Sequence, residues 1–167
     1  FEGHYYTDKS IGPSLIGLPV YFIYRSIASL PAIRQLLQTD PTMPFKDELT
    51  NWPFGLYQRW ALTLMTFFAS VLPSAALGVM VFYFANRFAL KTIYAFILAL
   101  AFGLCTIAFP FSMQLFQHQL SSFGLFGGFY CLWTGIYEQK SSKRLWLAGL
   151  LFSLAVISEY PVAIFAG

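Results

Sequence analysis

The chain has 167 residues, 57% apolar and 10% charged, with a formal net charge of +3; ordinary globular domains carry roughly 25% charge. So few charged groups cannot coat a soluble domain of this length, which excludes a cytosolic enzyme and a disordered segment as first readings. The small, scattered positive charge excludes a phosphate-backbone partner, so no nucleic acid is expected, and a mean hydropathy of +0.62 points to a polytopic membrane protein.

In chain order, residues 1–60 are mixed and read as a loop on the outer side of a membrane. Within them, residues 14–30 form an apolar stretch broken by Pro19 and Arg25. That length is at the lower limit for a crossing, so an interfacial or re-entrant helix is expected over a span. Residues 61–85 carry no charge and are long enough to cross with some tilt. Residues 92–137 are again uncharged. They are too long for one crossing and right for two, with a break at the polar cluster after Pro110. Residues 145–165 make a fourth span. The expected fold is all-α: a polytopic transmembrane bundle with spans at 61–85, 93–111, 119–137 and 145–165.

Orientation follows from the basic residues. Arg87 and Lys91 lie in one break, Lys140, Lys143 and Arg144 in another, and the break at 112–122 holds none. The positive-inside rule makes the first two cytoplasmic and the third external, and four alternating spans then put residues 31–60 outside as well. Trp60, Trp133 and Trp146 fall near span ends, as interfacial anchors would. Cys105 and Cys131 sit in apolar runs and read as buried free thiols acting as small hydrophobes. Because residue 1 is Phe and the final apolar run simply stops, a piece of a longer protein is expected.

Three polar groups fall on the external side. The first is the run with His4, Tyr6, Asp8 and Lys9 ahead of Gly12-Pro13. Lys9 there is a compact cation suited to a phosphate, and the following helix start also favours anions. The alternative is an interfacial loop with a snorkelling lysine. The second is Gln114, Gln117, His118 and Gln119, a hydrogen-bonding cluster that reads as a cavity wall for a hydroxylic substrate or as a solvated hairpin tip. The third is Glu159, inside the last apolar stretch. An ionisable group there normally faces a cavity or a partner, and Pro161 loosens the helix beside it. Gly124 and Gly128, with Ser121, read as a close helix-packing motif. No phosphate-binding glycine loop, dinucleotide fingerprint or zinc motif occurs.

The run from His4 to Pro19 (HYYTDKSIGPSLIGLP) resembles the end of the first outer loop of GT-C fold glycosyltransferases. Within that family the likeness is to aminoarabinose transferases, protein mannosyltransferases and lipopolysaccharide-core transferases of the dolichyl-phosphate-mannose type. Phe109 to His118 (FPFSMQLFQH) resembles that family's outer turn, and Leu154 to Pro161 (LAVISEYP) its following span. The resemblance implies a multi-span, plasma (inner) membrane enzyme with its active face outward, periplasmic or extracellular. Such an enzyme moves a sugar from a polyprenyl-phosphate carrier to a lipid, glycan or protein acceptor.

By that resemblance Lys9 lies near the carrier phosphate, and His4, Tyr6, Asp8, Gln114, His118 and Glu159 line the cavity. The family's usual Pro two residues after the Lys is replaced here by Ile11. The catalytic acid is expected upstream of Phe1. No cofactor is assigned, and a divalent metal is left open. The alternative reading is a multi-span transporter or flippase-type protein for a polar or lipid-linked substrate, using Glu159 as a coupling group.

Overall fold

The computed structural model describes residues 10–33, 56–88, 91–137 and 142–166, and among these all regular structure is helical. Helix α1 is Gly12–Ala28. Pro13 lies in its first turn, where a missing N–H costs nothing. Arg25 lies in its last turn, where the carbonyl end of the helix favours a cation.

Helices α2 (Leu56–Thr66) and α3 (Leu72–Asn86) are joined without a break by one wide π-turn, Phe67–Val71. The turn sits immediately ahead of Pro73. Proline has no N–H to give the ladder, and just before it the Leu72 N–H reaches back five residues to the Phe67 carbonyl. The widened turn thus absorbs the missing donor and keeps the rod continuous. Tyr57–Asn86 is therefore one 30-residue helix of mean hydropathy 1.9 in its most apolar window, and the only described helix long and apolar enough to cross a membrane.

The remaining elements are α4 (Thr92–Cys105), α5 (Ala108–Ser112), α6 (Gln117–Ile136), α7 (Ser142–Ser158), a 3-10 turn (Tyr160–Val162) and α8 (Ala163–Ala166). Two segments expected to run unbroken are divided. Residues 93–111 break at Thr106, which is extended (φ −115°, ψ 176°). Its hydroxyl donates to the Phe102 carbonyl at 2.6 Å and accepts the Ala108 N–H at 3.2 Å, a side-chain turn that competes with the helix. Residues 145–165 break at Glu159, also extended (φ −154°, ψ 104°), two residues before Pro161. Glu159 therefore stands at the end of a helix rather than within one.

Helices α6 and α7 form the most closely packed pair. A Cβ on Gly124 would stand 2.6 Å from the Leu151 carbonyl oxygen, and one on Gly128 2.8 Å from the Phe152 ring. Only glycine permits this approach. Ala148 and Ala155 are buried on the α7 side.

Phe84 of α3 packs edge-on against Phe126, Phe129, Tyr130 and Trp133 of α6. Trp133 thus belongs to an aromatic cluster, whereas Trp60 and Trp146 are exposed. Helix α4 packs on α3 through buried Ala95 and exposes Ile93, Phe96, Ile97, Leu100 and Leu104. Cys105, expected buried, is exposed on the same helix, and Cys131 is half-buried.

Candidate active site at a helix break

Three stretches distant in sequence meet at one end of the bundle: the start of α1, the turn between α5 and α6, and the break after α7. The first contact is at Ser158, the last residue of α7. A helix C-terminus leaves carbonyls without intrahelical donors, and the Ser10 hydroxyl donates to the Ser158 carbonyl. The Ser158 hydroxyl turns inward and donates to the Leu154 carbonyl at 2.7 Å. Gly12 lies so close to Ser158 that a Cβ there would stand 2.5 Å from the Ser158 Cα. The entry of α1 is therefore seated directly on the residue before Glu159.

The second contact is ionic. His118, in the first turn of α6, places its Nδ1 3.2 Å from the Glu159 Oε2. Which of the two atoms donates is set by the tautomer of the ring. The carboxylate also lies beside the N-terminal turn of α6, where the peptide dipoles favour negative charge. Phe111 packs edge-on against the imidazole, centroids 5.0 Å apart, and Phe116 lies 6.1 Å away. The ring is thus held by two aromatics and one carboxylate. The pair remains open to its surroundings, with His118 41% and Glu159 29% exposed.

The backbone explains how His118 arrives there. Phe116 is extended (φ −112°, ψ 155°) and leads directly into α6 at Gln117. Beneath the turn, Gln119 is buried and donates through Nε2 to the Ala108 carbonyl at 2.9 Å, tying α6 to α5. Its Oε1 has no hydrogen-bond partner among the described residues. Ser70, fully buried within the π-turn, places its hydroxyl 3.4 Å from the Phe116 carbonyl. A cavity of about 160 Å³ lies between the start of α1 and this turn, lined by Ser10, Pro13, Ser14, Met65, Phe116 and Gln117.

Of the residues read from sequence as site candidates, His118 and Glu159 are brought into contact, and Gln114 lies in the exposed turn between α5 and α6. His4, Tyr6, Asp8 and Lys9 lie outside the described residues. Sequence reasoning missed the aromatic seat made by Phe111 and Phe116, and the role of Ser158 as the dock for α1. The one available signal was Ser158 itself, a polar residue directly before the helix break.

Among the described residues no group of three or more His, Cys, Asp or Glu side chains could hold a metal. His118 and Glu159 together offer two ligand-type groups. No protein-family model, curated protein or solved structure matches the chain.

Proposed function

We propose that the chain is part of a polytopic membrane glycosyltransferase of GT-C type, with four spans and an interfacial α1. It takes sugar from a polyprenyl-phosphate carrier and passes it to a lipid, glycan or protein acceptor on the outer face of the plasma membrane. The observation that carries the reading is the meeting of three segments at one end of the bundle: Ser10 with Ser158, and His118 with Glu159. These are the same three segments that carry the resemblance to the family.

Membrane insertion is supported by the surface. A soluble monomer rarely exposes apolar patches larger than a few hundred Å², and α4 turns most of its large side chains outward. The irregular backbone at residues 113–116 and at Glu159 suits a segment that lines a polar cavity. On this reading Lys9, next to Ser10, meets the carrier phosphate and stabilises it as it leaves. The cavity beside Ser10 and Ser14 receives the polar end of the donor.

The test is Lys9→Ala in the full-length protein purified in detergent. Transfer from a polyprenyl-phosphate sugar should fall by at least roughly 10²-fold while yield and monodispersity hold. Turnover equal to the parent would sink the assignment of Lys9, and transport only in sealed vesicles would favour the transporter reading.

A further inference from the structure

We infer that the end of the bundle opposite the Ser10–Ser158 contact holds an anionic phospholipid. Its phosphate meets Arg87 and Lys91, and one acyl chain lies in the groove beside α3. The inference rests on the membrane placement proposed above and not on transferase activity.

The charges at this end are one-sided. From residue 61 onward the sequence carries five basic residues, Arg87, Lys91, Lys140, Lys143 and Arg144, all in the breaks after α3 and after α6 or directly beside them. The one acid there is Glu138; it and Lys140 lie outside the described residues. Arg87 and Lys91 are exposed, in the short turn that joins α3 to α4. The Arg87 guanidinium lies 5.4 Å from the centroid of the Tyr130 ring, which places it against α6. Arg144 packs near the end of α6 as well: a Cβ on Gly135 would stand 3.5 Å from the Arg144 Cβ. Lys143 and Arg144 occupy the first turn of α7, where the helix dipole disfavours cations, and no acid stands in that turn. The described part of this end therefore carries a positive field that an external anion offsets.

The apolar half of the ligand also has a place. A groove of about 780 Å³ is lined by Leu77 and Val81 of α3, Phe102 of α4, and Phe126, Phe129 and Leu132 of α6, a volume in the range of ligand pockets. Phe126 and Phe129 also pack on Phe84, one turn before Arg87, and Phe84 packs on Tyr130 beneath the guanidinium. Groove and cation thus share one aromatic wall. Around them Phe88 is 56%, Tyr137 71% and Trp146 80% exposed, as aromatic residues at headgroup depth are. A free anion would use only the basic rim. A phospholipid uses the rim and the groove together.

The test is native mass spectrometry of the full-length protein in detergent, titrated with phosphatidylglycerol or phosphatidylcholine of the same long chains. Phosphatidylglycerol should bind at least about 10-fold more tightly, given two basic residues at the phosphate. Arg87→Gln and Lys91→Gln should each weaken it about 5-fold. Lys91→Gln leaves the Arg87–Tyr130 contact in place, so it separates headgroup binding from packing. Arg59→Gln, near the other end of the 30-residue rod, should change nothing. Short-chain dihexanoyl phosphatidylglycerol should bind weakly, and inorganic phosphate should not displace the long-chain lipid.

Equal affinity for the two long-chain lipids overturns the inference, as does the same affinity in Lys91→Gln as in Arg59→Gln. Dihexanoyl phosphatidylglycerol binding as tightly as the long-chain lipid overturns the seat for the chain. Displacement by inorganic phosphate reduces the site to one for free anions and overturns it as a lipid site. A full-length protein that stays monodisperse without detergent overturns the membrane placement and this inference with it. Absence of sugar transfer alone overturns only the transferase reading.

Discussion

Ser10 donates its hydroxyl hydrogen to the backbone carbonyl of Ser158, 148 positions further along the chain. The bond closes the C-terminal end of α7 with a residue from the entry of α1. It brings the segment that follows Lys9 to within one residue of Glu159. The entry of α1 and the break after α7 therefore meet at one end of the bundle.

That seating predicts a sharp steric limit at Gly12. A methyl group there would press on Ser158, with Cβ 2.5 Å from Cα. Gly12→Ala should destabilise the protein by about 1–3 kcal/mol and lower activity by displacing α1. Thermal unfolding in detergent, read beside transfer activity, checks it. An unchanged midpoint would mean that α1 is not held against α7.

The α6–α7 contact makes a matched prediction with an internal control. Gly124→Ala places Cβ 2.6 Å from the Leu151 carbonyl oxygen, whereas Gly78 has nothing within 4 Å. Gly124→Ala should destabilise by about 1–3 kcal/mol. Gly78→Ala, in open space on α3, should be neutral or stabilising by about 0.5–1 kcal/mol through helix propensity. Equal effects from the two variants would contradict close packing at Gly124.

A third prediction concerns the joint between α1 and α2. The Tyr24 hydroxyl donates to the Tyr57 carbonyl at 2.9 Å, and the rings lie 5.0 Å apart. The Tyr57 hydroxyl reaches the Tyr21 hydroxyl at only 3.3 Å. Tyr24→Phe should therefore cost about 1 kcal/mol and Tyr57→Phe less, since the shorter bond is the stronger. Protection of the α1 amides in hydrogen exchange would resolve the order, and the reverse order would contradict this ranking.

The all-α class was legible because uncharged stretches of helical length left little else to form. The packing role of Gly124 and Gly128 was legible because small residues four apart share one helix face. The π-turn at Phe67–Val71 was not. Pro73 reads the same whether a helix kinks, breaks or widens, and only the packing around buried Ala69 and Ser70 decides.

The break at Thr106 was hidden because its competing hydrogen bonds are local and carry no periodic signature. At the site, His118 and Glu159 each stood out as polar residues in apolar surroundings. Their contact across 41 positions is tertiary, and no spacing rule joins two such residues. The aromatic seat of Phe111 and Phe116 was invisible among 19 phenylalanines.

The measurement that bears most directly on the central claim is sugar transfer by the purified full-length protein in detergent, with no membrane gradient. The donor is a polyprenyl-phosphate sugar, and lipid, glycan and peptide acceptors are offered in turn. A new glycosidic bond formed in step with release of polyprenyl phosphate is the predicted result. No transfer in detergent, together with substrate movement seen only in sealed vesicles, would contradict it.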